Sequence, residues 1–133
     1  MPTKKSPSQI AAAIAAAEAA LRQVDPSQPG EALPHLRTAQ DHLTQAIDEA
    51  MAAAILEEGS TIRTAGQLAG LSENAVGPRL ARTTLLAAYG SDAGRVTATG
   101  VERARYDLEE GRHRTPEPGA EPPPMRFRTR RTT

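Results

Sequence analysis

The chain has no cysteine and no tryptophan, and it has only one phenylalanine and two tyrosines among 133 residues. The absence of cysteine excludes disulfide bonds and thiolate metal ligands. Alanine is abundant instead, and it buries little area, at roughly 25 cal/mol per Å² of apolar surface. We therefore expect one small domain with tails, and a marginally stable monomer that dimerisation would stabilise.

Long uncharged apolar runs are also missing. Glu18 and Arg22 interrupt the alanine-rich stretch near the N-terminus, so no segment of roughly 18 residues stays apolar. The pattern predicts an amphipathic helix and not a signal sequence or a membrane span. We expect a cytoplasmic protein with no membrane partner.

The net charge is zero, but the two signs are unevenly distributed along the chain. Residues 1–58 contain four basic and eight acidic residues, which gives −4. Residues 59–133 contain twelve arginines and eight acidic residues, which gives +4. We expect the two halves to have different electrostatic roles.

Two apolar stripes predict a pair of helices in residues 6–58. The first helix begins at Ser6, and its apolar stripe consists of Ile10, Ile14, Ala17, Leu21 and Val24. The second begins near Glu31 or Pro34 and ends at Glu58, before the C-cap residue Gly59. Its predicted buried face consists of Leu33, Leu36, Leu43, Ile47, Ala50 and Ala54. We expect an antiparallel hairpin or a dimerising coiled coil, or a pair that packs on the rest of the domain.

Residues 59–111 predict three further helices. The first is short and runs from Ser60 to about Ala69, the second runs from Glu73 to about Ala88, and the third covers residues 98–111. Between the last two, residues 95–97 favour a short strand. Residues 1–5 and the Pro-, Glu- and Arg-rich residues 112–133 are expected to be a flexible N-terminus and a disordered tail. The predicted fold class is all-α, with or without a minimal β-wing.

The segment between Ala65 and Leu80 has the residues that a tight pair of helices needs. Small residues that allow close approach are Ala65 and Gly66, and Gly70 suits a positive φ at the turn. Leu71 follows as an apolar plug, Ser72 as an N-cap, and Val76 and Leu80 as inward-facing residues. Gly77-Pro78 interrupts the second helix and predicts either a kink or a helix that restarts at Pro78.

In residues 62–80 this segment resembles the helix-turn-helix of bacterial repressors and sigma-like factors, through Gly66, Gly70, Leu71, Ser72 and Val76. The order of the elements that follow resembles a winged helix-turn-helix, with residues 90–99 as either a very short wing or a plain loop. The resemblance implies a DNA-binding protein whose recognition helix begins at residue 73.

The resemblance also implies the residues that contact double-stranded DNA. Ser72, Glu73 and Asn74 would meet base edges, and Arg79 and Arg82 would meet guanine or phosphate. The predicted phosphate contacts are Arg63, Thr64 and Gln67, with Arg95 at the tip of the wing and Arg126, Arg128, Arg130 and Arg131 in a basic arm. Ser72 also suits a simple cap, and Glu73 suits the helix dipole.

No set of residues predicts catalysis. His35 and His42 lack a third ligand for a metal, and no glycine-rich phosphate loop is present, so we expect no enzyme, no metal and no cofactor. The leading hypothesis is a homodimeric, nucleoid-associated, sequence-specific DNA-binding protein, either a transcriptional regulator or a plasmid or phage maintenance factor. The alternative is a helical interaction or scaffold protein in which the helix-turn-helix is only a fold element.

Overall fold

The computed structural model describes residues 6–114, with side chains from Gln9 onward. Within these residues the fold consists of five α-helices and one 3₁₀ turn, and no strand is found there. The helices are α1 (Ser6–Arg22), α2 (Pro29–Glu58), α3 (Ile62–Ala69), α4 (Glu73–Leu80) and α5 (Ala98–Glu109), and the 3₁₀ turn is Ala87–Tyr89. The all-α prediction is confirmed for this part of the chain.

Helices α1 and α2 form a hairpin joined by residues 23–28. Helix α2 begins earlier than predicted, because Pro29 occupies its first position, where a missing N–H costs nothing. Pro34 lies inside the helix and leaves the Gly30 carbonyl without its usual helical donor. Gly59 ends the helix in the left-handed conformation, with φ of 77°, as predicted.

Alanines make the contact between α1 and α2. Those at most 9% exposed in the hairpin are Ala13, Ala17 and Ala20 on α1 and Ala32, Ala39 and Ala46 on α2. The predicted buried stripe is therefore wrong for its largest members: Ile14, Leu21, Leu33, Leu36, Leu43 and Ile47 are 39–64% exposed. The two stripes differ by one residue, or about 100° around the helix, and the small alanine side chains let the two helix axes approach.

The main core lies at the other end of α2. Its buried residues are Met51, Ala52, Ile55 and Leu56 on α2, Ala65 on α3, Val76 and Leu80 on α4, and Leu86, Tyr89, Val96, Val101 and Ala104 beyond. The C-terminal part of α2 is thus the central element against which the shorter helices pack.

Helices α3 and α4 approach each other through Gly66 and Val76. A Cβ atom on Gly66 would lie 2.6 Å from Val76 Cγ2, so no larger residue fits without a shift. Gly70 has a φ of 76°, and the Leu71 N–H donates to the Gly66 carbonyl, which closes the end of α3. Burial of Ala65, Gly66 and Val76 agrees with the prediction from the sequence.

Helix α4 ends at Leu80 and does not reach the predicted Ala88. Pro78 lies inside the helix and lacks the N–H that would bond the Asn74 carbonyl. Beyond the helix, the buried Thr83 hydroxyl donates to the Leu80 carbonyl and accepts from the Leu86 N–H. A side chain therefore takes over the backbone partners that a longer helix would have used.

Residues 90–99 form no wing, because the described residues contain no strand. The Ser91 N–H donates to the Arg95 carbonyl at 2.8 Å and closes a tight turn. The Val96 N–H then donates to the Gly77 carbonyl at 3.0 Å, which ties this turn to α4. The predicted disordered tail is wrong for residues 112–114, which lie against Tyr89, whose hydroxyl accepts from the Arg114 N–H at 2.8 Å. The rest of that prediction, over residues 115–133, falls outside the described residues.

Candidate nucleic-acid interface

A groove of about 550 Å³ lies between the starts of α3, α4 and α5. Four of the predicted DNA-contacting residues line it together: Arg63, Glu73, Asn74 and Arg95. Arg105, Glu102, Thr61 and Thr97 complete its polar walls. Three arginines against two glutamates leave the lining positive, which suits a polyanion.

The first turn of α4 presents its polar residues to solvent. Ser72, Glu73 and Asn74 are all exposed, and Ser72 occupies the N-cap in an extended conformation. Its hydroxyl makes no capping hydrogen bond, so capping does not explain the choice of serine at this position. The exposed Asn74 amide has both a donor and an acceptor, as bidentate recognition of adenine requires.

The outer face of α3 adjoins this turn. Arg63, Thr64 and Gln67 are exposed, and Arg63 Nη2 lies 3.5 Å from Glu73 Oε1. Both side chains of this pair are more than 60% exposed, so the contact is weak and open to competition by a phosphate. Thr61 caps α3 by accepting from the Thr64 N–H at 3.0 Å.

Arg79 lies away from this surface. Its Nε atom lies 2.6 Å from Asp48 Oδ1, and the two side chains are only 20% and 10% exposed. This ion pair joins α4 to α2, so we assign Arg79 a structural role and leave it out of the proposed interface. The neighbouring Glu49 is also buried and accepts from the Thr84 N–H, which fixes the chain after α4.

Arg82 and Arg95 differ in their surroundings. Arg82 is exposed just beyond the C-terminus of α4. Arg95 is half-buried, and its guanidinium lies over Gly77, where a Cβ atom would be 3.0 Å from Nε. Gly77 therefore lets Arg95 cross α4 and reach the groove. Arg126, Arg128, Arg130 and Arg131 lie outside the described residues.

The sequence analysis missed Arg105. Its Nη2 atom donates to the Ile55 and Ser60 carbonyls, both at 3.0 Å, and its side chain lines the groove. Helix α2 has no basic residue in its last turn, so its terminal carbonyls need a donor from elsewhere. The lack of a basic residue at the end of α2 is the feature of the sequence that predicts a distant donor, but it does not show which arginine supplies that donor.

Among residues 6–114, no three His, Asp or Glu side chains lie close enough to hold a metal. His35 and His42 are half-buried on α2, next to the alanines that contact α1. Within the same residues no helix is long and apolar enough to cross a bilayer. No family model, curated protein or solved structure matches this chain.

Proposed function

We propose that this protein is a sequence-specific DNA-binding regulator, either of transcription or of plasmid or phage maintenance. Helix α4 enters the major groove by its N-terminus, and Asn74 and Glu73 meet base edges. The observation that carries the proposal is the exposed first turn of α4 beside a groove that contains Arg63, Arg95 and Arg105. In this proposal the protein acts as a homodimer through its N-terminal hairpin and is associated with the nucleoid through its DNA.

Helices α3 and α4 support this proposal as a rigid pair. The contact of Gly66 with Val76 and the left-handed Gly70 hold the two short helices in one fixed arrangement. A fixed arrangement reduces the ordering required on binding, which is what a recognition helix needs. We expect Arg63 and Gln67 on α3 to contact phosphates on either side of the DNA major groove.

The test is a selection of duplexes from a random library, followed by fluorescence anisotropy titrations over a series of salt concentrations. We expect affinity to fall steeply with salt, and Arg63→Ala to lower the salt slope by about 1 for one lost phosphate contact. Asn74→Ala is expected to cost about 1–3 kcal/mol on the selected sequence and little on random DNA.

Arg103→Ala is the matched control, since Arg103 is an exposed arginine on α5 that does not line the groove. We expect this variant to bind DNA as the parent chain does. Absence of any duplex binding at low salt would refute the proposal, and so would equal losses in the Arg103 and Arg63 variants.

The second candidate function is a helical interaction or scaffold protein. The exposed Leu and Ile side chains of the hairpin favour it, because an apolar face of this kind marks a binding surface. Under this alternative, a double variant with Arg63→Ala and Asn74→Ala keeps its cellular activity, whereas substitutions on the hairpin abolish it.

A further inference from the structure

Six aliphatic side chains lie exposed along the hairpin, and we call them the hairpin face. They are Ile14 and Leu21 on α1 and Leu33, Leu36, Leu43 and Ile47 on α2, with exposures of 42, 46, 64, 43, 45 and 39%. Isolated exposed aliphatic residues are ordinary on a protein surface, but a contiguous set marks an interaction site.

The two rows lie on one side of the hairpin. Ile14 follows the buried Ala13 by one residue, and Leu33 follows the buried Ala32 in the same way. Successive residues of a helix are rotated by about 100° around its axis. Because α1 and α2 are antiparallel, this rotation is clockwise in one helix and anticlockwise in the other when both are viewed from the same end. Both rows are therefore displaced to the same side, and they form one surface.

On α2 the row continues with a regular spacing. Positions 33, 36, 40, 43, 47, 50 and 54 alternate in steps of three and four, which is the a/d pattern of a coiled coil, and Gln40 is its polar member. Beyond Ile47 the row borders an apolar groove of about 300 Å³ that includes Leu68 of α3, itself 80% exposed. The exposed seam thus extends along most of α2.

We propose that the hairpin face binds a second copy of this chain, so that two hairpins form a four-helix bundle. This deepens the homodimer of the proposed function but does not depend on DNA binding. A symmetric dimer requires a surface that complements itself, and a leucine and isoleucine seam with heptad spacing satisfies this requirement.

The size of the face suits a dimer that dissociates on dilution. The 17 residues of α1 span about 25 Å, and two adjacent helices are about 20 Å wide, which gives a footprint of about 500 Å². This footprint is smaller than the roughly 800 Å² per partner of a standard interface, so we expect a reversible equilibrium between monomer and dimer.

The charges beside the face do not oppose self-association. Beside the face, α1 carries Glu18 and Arg22, and α2 carries Arg37 and Asp41, whose side chains are 3.1 Å apart. The net charge of −4 on residues 1–58 arises elsewhere, in part from Asp48 and Glu49, which are buried against groups of the second half. Both signs therefore lie beside the face, and two copies meet there without a block of like charge.

The experiment is sedimentation equilibrium of the full chain without DNA over a wide range of concentrations. We expect the parent chain to approach twice its 14.1 kDa mass. The double variant Leu36→Glu/Leu43→Glu is expected to raise the dissociation constant at least about 100-fold, because charges replace apolar contacts at the centre of the seam. Leu108→Glu is the matched control, since Leu108 is 44% exposed on α5, and it leaves the dissociation constant unchanged.

A second variant covers the case in which the double variant does not fold, as judged by its circular dichroism. Gln40→Leu completes the apolar seam and is expected to lower the dissociation constant about tenfold. A monomeric parent chain overturns the proposal, as do a dimer that withstands both Glu substitutions and a dissociation constant that Gln40→Leu does not lower. A chain that dimerises but binds no DNA overturns the proposed function alone.

Discussion

The two ends of α2 are stabilised in different ways. Its N-terminal part contacts α1 through alanines, and its leucines face solvent. Its C-terminal part contributes Ile55 and Leu56 to a core in which Leu80 and Leu86 are fully buried. The same helix therefore makes a contact of small side chains with α1 at one end and contributes large side chains to the core at the other.

Buried polar groups show the same contrast. Asp48 and Glu49 lie where the hairpin gives way to the core, and both bind groups that follow in the chain, Arg79 and Thr84. Buried carboxylates need such partners, and these contacts fix the position of α4 relative to α2. The comparison indicates that the second half is held by specific buried contacts, whereas the hairpin leaves six large aliphatic side chains exposed.

The largest expected effect is a difference between two leucines. Leu80→Ala opens a cavity in the core and is expected to lower the free energy of unfolding by about 2–5 kcal/mol, since Leu80 is fully buried. Leu43→Ala on the hairpin is expected to change it by less than about 0.5 kcal/mol in the monomer, because Leu43 is 45% exposed. Urea unfolding at low protein concentration measures both, and equal losses would contradict the contrast.

A smaller effect separates two arginines of the second half. Arg79→Ala leaves the buried Asp48 unpaired and is expected to cost about 2 kcal/mol of stability, whereas Arg82→Ala costs less than about 0.5 kcal/mol. DNA affinity is expected to change in the opposite order, with the exposed Arg82 mattering more. Urea unfolding and anisotropy titrations of the same two proteins test both statements.

A double variant tests whether the unpaired Asp48 causes the loss of stability in Arg79→Ala. Asp48→Ala combined with Arg79→Ala removes the unpaired charge and is expected to be more stable than Arg79→Ala alone. A double variant as unstable as the sum of the two single variants would show that the ion pair contributes nothing by itself.

The sequence predicted α3, the turn after it and the start of α4 because the local chemistry there is specific. Two glycines four residues apart, followed by Val76, are typical of a tight turn between two helices. The structure places Gly66, Gly70 and Val76 in the connection of α3 with α4. The positions of Glu73 and Asn74 at an exposed helix start follow from the same turn. Arg63, Glu73 and Asn74 line one groove for this reason, and Arg95 joins them by crossing Gly77.

The hairpin shows where prediction from the pattern failed. Leucine and alanine stripes one residue apart have the same period, so periodicity alone does not tell which of them faces α1. Burial was assigned to the larger side chains, although close helix packing favoured the alanines. The partners of Arg79 and Arg105 lie 31 and 50 residues away in the chain, at Asp48 and Ile55, and no local pattern indicates such pairs.

The smallest expected effect concerns His113, where the chain returns to the core. Its ring lies 5.2 Å from the Tyr89 ring, and its buried Nε2 atom has no hydrogen-bond partner. Burial lowers the pKa of His113 below its ordinary value of 6.5, so the folded state favours the neutral ring. The contribution of the neutral His113 ring to the free energy of unfolding is complete above pH 6.5, and it is lost as the pH falls through the lowered pKa.

His113→Phe keeps the ring contact and removes the titration, so we expect its unfolding midpoint to vary less than that of the parent chain below pH 6.5. Thermal unfolding followed by circular dichroism over this range measures the difference. Asp25 does not disturb the comparison, because its hydrogen bonds with Ser27 lower its pKa from 3.8 and it titrates at more acidic pH. Parallel pH profiles for the two proteins would show that protonation of His113 does not oppose the packing of residues 112–114.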